Sequence, residues 1–155
     1  MTETPAHELV IERLIDAPVD AVWRAMTDHM AQWWCPRPWT VEIIAHDLVP
    51  GGRSAMVMRG PNGEEQAMEG VVLEVVPGRR FVSTDAFRHG WVPQPPFMVG
   101  FWEIEPDGDS TRYRAGARHW SAEAMEQHAA MGFADGWMAA AAQLEEVAKR
   151  LAATG

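Results

Sequence analysis

The chain has 155 residues, 47% hydrophobic and 23% charged, a size and balance that suit a single domain over 1–155 with a radius of gyration of roughly 15 Å. Thirteen Lys and Arg against twenty-two Asp and Glu give a net charge of −9, which repels phosphate backbones and argues against nucleic acid as a partner. Cys35 is the one cysteine, the start MTETPAHE has neither a basic nor an apolar leader segment, and no apolar run is long enough for a membrane span, so a cytoplasmic protein without integral membrane association is expected.

Leu9 to Ile15 is rich in branched residues and predicts a strand, closed by Asp16-Ala17-Pro18, where Pro18 suits a first helical turn and Asp16 a nearby cap. Val19, Val22, Trp23 and Met26 then recur at spacings of three and four, and the segment continues through Trp33-Trp34 until Pro36 and Pro38. Two short helices follow from that pattern.

From Trp39 the texture changes to short apolar runs separated by Pro50-Gly51-Gly52, Gly60-Pro61-Asn62-Gly63, Pro77-Gly78 and Pro106-Asp107-Gly108-Asp109. An antiparallel meander with strands at 40–49, 53–59, 66–76, 80–87, 97–105 and 110–119 is predicted, seven strands with the first. The Pro-rich stretch from Arg88 to Pro96 reads as the longest loop, with Trp91 at its centre.

The tail from Ser121 to Ala153 lacks proline, and predicts one long helix starting at Ser121. Ala129, Phe133, Trp137, Ala140, Leu144, Val147 and Leu151 form its apolar stripe, which must lie on the sheet. Met131 and Met138 fall off the stripe, compatible with a homodimer contact or with a bend at the Gly132 and Gly136 positions.

Strand alternation assigns inward faces: Ser54, Met56 and Met58; Phe81, Ser83 and Asp85; Met98, Gly100, Trp102 and Ile104; and Thr111, Tyr113, Ala115, Ala117 and His119. Arg112, Arg114 and Arg118 mark the wet face. Eight Trp, five Phe and ten Met against one Tyr supply large, adaptable apolar groups, which fill cores and also line pockets.

The segments IDAPVDAVWRAMTD at 15–28, WW-x-P at 33–36, DLVPGGR at 47–53, MRGPNGEE at 58–65, EGVVLEVVPGRR at 69–80 and MGFADGW at 131–137 resemble the START and polyketide-cyclase superfamily, SRPBCC. Within it they are similar to the subgroup of the activator of heat-shock protein 90 ATPase homologue. The resemblance covers essentially the whole chain. It implies an α+β helix-grip fold: a seven-stranded antiparallel curved sheet around a long C-terminal helix, with two short helices after the first strand. It also implies a cavity between sheet and helix, made locally more polar here by Ser83 and Asp85 where the family often has aromatic residues. Phe81 stands where the family often has Leu.

On that geometry the expected ligand wall is Trp34, Met56, Met58, Phe81, Trp91, Met98, Trp102, Tyr113, His119, Phe133 and Trp137, and the expected guest a small apolar or aromatic molecule. Asp85, Tyr113 and His119 are the candidate acid-base groups if the cavity is instead that of a cyclase or isomerase, with His119 and Asp85 as a pair. A chaperone ATPase accessory is a third reading, resting on the family's name. No cofactor is expected, because neither glycine cluster has phosphate-loop spacing. No metal is expected either: there is no HExxH or cysteine pair, and the helical wheel turns His128 about 140° from the stripe, towards solvent and away from His119.

Overall fold

The computed structural model describes residues 7–154. Strand β1 (Glu8–Ile15) leads into helices α1 (Val19–Asp28) and α2 (Met30–Trp33), followed by β2 (Thr40–His46), β3 (Arg53–Arg59), β4 (Glu65–Val76) and β5 (Arg80–Thr84). A short hairpin, β6 (Phe87–Arg88) and β7 (Val92–Pro93), precedes β8 (Val99–Asp107), β9 (Ser110–Arg118), α3 (Ala122–Ala130) and α4 (Phe133–Thr154). The seven long strands form one antiparallel sheet in the order β1-β9-β8-β5-β4-β3-β2. This is the α+β helix-grip architecture, in which α4 crosses the inner face of the curved sheet.

Alternation explains both faces. On β9, Thr111, Tyr113, Ala115 and Ala117 are buried against the helices, while Arg112 and Arg118 are exposed. The outer face is held by ion pairs: Arg114 reaches Glu8 at 3.2 Å and Glu103 at 2.6 Å, and Arg118 reaches Glu8 at 2.8 Å. Both guanidinium groups cover the Phe101 ring, at 5.0 and 4.7 Å, so this outward aromatic is 2% exposed. Thr111 pins the β1–α1 connection by donating to the Ala17 carbonyl at 2.8 Å. The first residue of α1 is Val19, with Pro18 at its cap and no side-chain cap bond. The Asp16 carboxylate therefore does not cap α1; Asp16 instead donates its backbone N–H to Glu145 of α4 at 2.7 Å.

The C-terminal two-thirds of α4 packs solidly. Ala140, Ala141, Leu144, Val147 and Ala148 meet Ile11, Ile15, Val22 and Met26 in a continuous buried cluster. Gln143, buried on the same helix, donates to the Trp33 carbonyl at 2.8 Å and the Cys35 carbonyl at 3.0 Å, and accepts from the Arg37 N–H at 2.9 Å. This one side chain ties the irregular segment after α2 to α4, because three backbone groups there lack a helix or sheet partner.

Two expectations are corrected. The tail is two helices, since the chain turns at Met131 and Gly132, where Gly132 takes φ of 94°, a left-handed conformation that glycine adopts at little cost. The wheel drawn through 121–153 therefore loses phase: Ala129 is exposed and His128 is buried at 8%. Secondly, the fifth long strand stops at Thr84, and 88–96 carries the small β6–β7 hairpin in place of an irregular loop.

Candidate functional site

Between the first turns of α4 and strands β3 to β5 lies a cavity of about 750 Å³ that opens past the exposed Gln66, Ala67, Pro95 and Met131. The sheet supplies Met56 and Met58 from β3, Phe81 and Ser83 from β5, and Trp102 from β8; Met98 and Asp85 come from the segments that flank those strands. Phe133 and Trp137 descend from α4, and Trp34 from the α2 exit. Ring contacts fuse these parts into one aromatic wall. Phe81 stacks on Trp102 at 4.9 Å between centroids, Trp102 lies parallel to Trp137 at 5.6 Å, and Trp34 meets Trp137 edge-on at 5.3 Å. Gly100 makes room for this wall: a Cβ there would sit 2.7 Å from the Trp102 ring.

Three expected lining residues lie elsewhere. Trp91 is 58% exposed on the β6–β7 hairpin, where it packs edge-on against Phe87 at 5.8 Å. It is held there by the hairpin turn, with φ of 62° at Trp91 itself. Tyr113 is 1% exposed within the solid core of β1, β8 and β9, and burial raises its phenol well above the ordinary value. His119 is 6% exposed and stands behind His128. All three follow from alternation or loop position, but alternation assigns a face of the sheet and not a place along it.

The proposed His119–Asp85 pairing does not form. Asp85 Oδ1 accepts from the Phe97 and Met98 N–H groups at 2.8 and 3.2 Å, so the carboxylate pins the segment entering β8. His119 pairs with His128, Nε2 to Nδ1 at 2.8 Å, against the sequence expectation that kept the two apart. His119 Nδ1 faces the His7 carbonyl at 3.0 Å and must donate to it. In the neutral pair, His119 Nε2 therefore accepts from His128 Nδ1–H, which leaves His128 Nε2 as a bare acceptor. Desolvation, together with the neighbouring His119, pushes the His128 pKa down to about 4. Among the described residues no group of three or more His, Cys, Asp or Glu comes together as a metal site.

His46 and Met68 are wall residues that strand alternation did not assign. His46 lies edge-on to Phe81 at 5.6 Å, both its ring nitrogens are buried without a partner among the described residues, and burial lowers its pKa. A bulge between Ile43 and Ala45 brings His46 to the inner face, and a bulge leaves no mark in simple alternation. Met68 pairs with Met56 across β3 and β4, a register that alternation of β4 could have suggested. Cys35, buried in the wall with its thiol pKa raised by desolvation, sits 3.8 Å from the Thr40 carbonyl. A thiol so placed stays protonated and is a poor nucleophile.

Among the described residues, no helix is long and apolar enough to cross a membrane. The model of the family described as activator of Hsp90 ATPase homolog 1-like protein matches residues 16–149. Among solved structures, protein NE0264 from Nitrosomonas europaea is 34% identical over 95% of this chain and 97% of its own, with a TM-score of 0.89. Protein Ms6760 from Mycobacterium smegmatis is 27% identical over 90% and 89%, with a TM-score of 0.76. A protein from Arthrobacter aurescens, 23% identical over 94% and 87%, shares the fold with a TM-score of 0.80. Comparison with curated proteins gave no match. A fold of this kind supports a ligand-binding or accessory role in general. With the matched segment covering most of the chain, the protein belongs to the activator of Hsp90 ATPase homolog 1-like family.

Proposed function

We propose that the protein binds a small apolar or aromatic molecule in the cavity between β3–β5 and α4. The observation that carries this reading is the unfilled space of about 750 Å³ behind a wall of Trp, Phe and Met side chains. That volume lies within the range of small-molecule sites, which are mostly apolar with a few placed polar groups. Thioether side chains lose little when they re-pack around a guest, and Met56, Met58, Met68 and Met98 all contribute. The cyclase or isomerase reading has less support, since Asp85 and His119 serve different partners.

Thermal-shift and tryptophan-fluorescence titration against neutral aromatic compounds, polyketides, flavonoids and sterols tests the reading. A ligand at a hundred times its Kd adds about 2.7 kcal/mol of apparent stability. Saturable shifts that disappear when Met56→Trp fills the cavity are expected, and a panel with no binder at all counts against the proposal. Conversion of a panel compound, seen by mass spectrometry, would favour the enzyme. Stimulation of a purified Hsp90 ATPase would favour the accessory role.

A further inference from the structure

Two of the polar groups in the cavity wall meet at one aromatic residue. Asp85 and His128 flank Phe97: the Asp85 carboxylate accepts from the Phe97 N–H at 2.8 Å, and the His128 ring lies 4.8 Å from the Phe97 ring. All three residues line the cavity. Asp85 uses Oδ1 for its two backbone bonds, and Oδ2 has no partner among the described residues. His128 uses Nδ1 towards His119, whose other nitrogen is committed to the His7 carbonyl, so His128 Nε2 is left as an acceptor. Two unused acceptors, one of them anionic, thus stand together beside Phe97 in the cavity wall.

The opposite charge is missing. Among the described residues no Lys or Arg lines the cavity. Both Gln94 amide hydrogens are taken by the Glu69 and Asp85 carbonyls, at 2.7 and 2.8 Å. His46 and His128 both have lowered pKa values, so neither supplies a cation near neutral pH. The remaining donors, such as the Ser83 hydroxyl and the Trp102 N–H, are neutral. A carboxylate entering this space would shed its hydration with no cation to meet it, beside the charge of Asp85, which is costly.

We infer that the end of the cavity built from Asp85, Phe97 and the His128–His119 pair takes a hydrogen-bond-donating head, a hydroxyl or a protonated amine, on an aromatic or apolar ligand, and rejects carboxylates. This rests on the proposed binding role and narrows it: fatty and aromatic acids are excluded, while alcohols, phenols and amines of the same skeleton are admitted. An ammonium gains most, because its bond to Asp85 is charge-assisted at both ends.

The test is a matched naphthalene series, the methyl, hydroxymethyl, aminomethyl and carboxylate derivatives, titrated into the full-length protein by tryptophan fluorescence or calorimetry. The hydroxymethyl and aminomethyl compounds should bind at least about tenfold more tightly than the carboxylate. In Asp85→Asn the amide oxygen can still accept from Phe97 and Met98, so the segment keeps its anchor. The aminomethyl compound should then lose about tenfold in affinity, and the gap between acid and amine should shrink. If that variant does not fold, the wild-type series decides alone. A carboxylate that binds as tightly as the alcohol or amine overturns the inference while leaving the cavity in use. Failure of all four compounds, the hydrocarbon included, overturns both readings.

Discussion

The two ends of the space under the sheet lie beneath one sheet and one helix, yet the β1–β9 end is solid and the β3–β5 end hollow. At the solid end, small side chains on both surfaces, Ala115 and Ala117 on β9 and Ala140, Ala141 and Ala148 on α4, let the helix settle onto β1 and β9 with Leu144 and Val147 filling between them. At the hollow end, Phe133 and Trp137 on α4 oppose Phe81 and Trp102 on the sheet, and their rings prop the layers apart. Small residues bring layers together and large flat ones hold them open, so cavity and core are set by the same packing rule.

The sharpest way to break that comparison is to delete side chains at each end. Leu144→Ala, in the solid half, should cost about 3–4 kcal/mol in denaturant unfolding. A cost near that of a surface change would mean that the solid half is loosely packed. Gln143→Leu removes the partner of three backbone groups and should cost about 3 kcal/mol, with added mobility of Trp34 visible in its fluorescence. Wild-type-like stability of that variant would show that the 33–37 segment holds itself.

Acidification probes the boundary between the two ends. The folded protein holds His128 below its ordinary value, so the unfolded chain binds more protons between pH 6.5 and about 4. Stability should therefore fall as pH drops through that window, by about 2 kcal/mol from 6.5 to 4.5, and His46 should add in the same direction. His128→Gln should flatten this slope; an unchanged slope would separate the loss from the pair. The smallest effect belongs to the hollow end. Met56→Ala should cost under about 1 kcal/mol, because its side chain borders space on one side. A cost of 3 kcal/mol or more at Met56 would indicate a packed core where the cavity is drawn.

The cavity wall was legible in part from residue order. Met56, Met58, Phe81, Met98, Trp102, Phe133 and Trp137 fall inward by strand and helix periodicity, and Trp34 by its place between the short helices and Pro36. Tyr113 also faces inward, but it lies where α4 has already closed the gap, and His119, just past the end of β9, stands behind His128 of α3. His46 was hidden by a bulge and His128 by a helix drawn straight through Gly132. These two omissions came from extending a periodic pattern past a point where the backbone changes phase.

By itself the sequence determined the order of elements, the faces of the strands, and the motifs that mark this family, because period, turn chemistry and capping act over a few residues. Only the tertiary structure decided where along the sheet the helix lands, that the two histidines meet, and that Asp85 anchors a backbone segment. Those relations join residues on different segments of the fold. They depend on how bulky side chains space two layers, which no local pattern encodes.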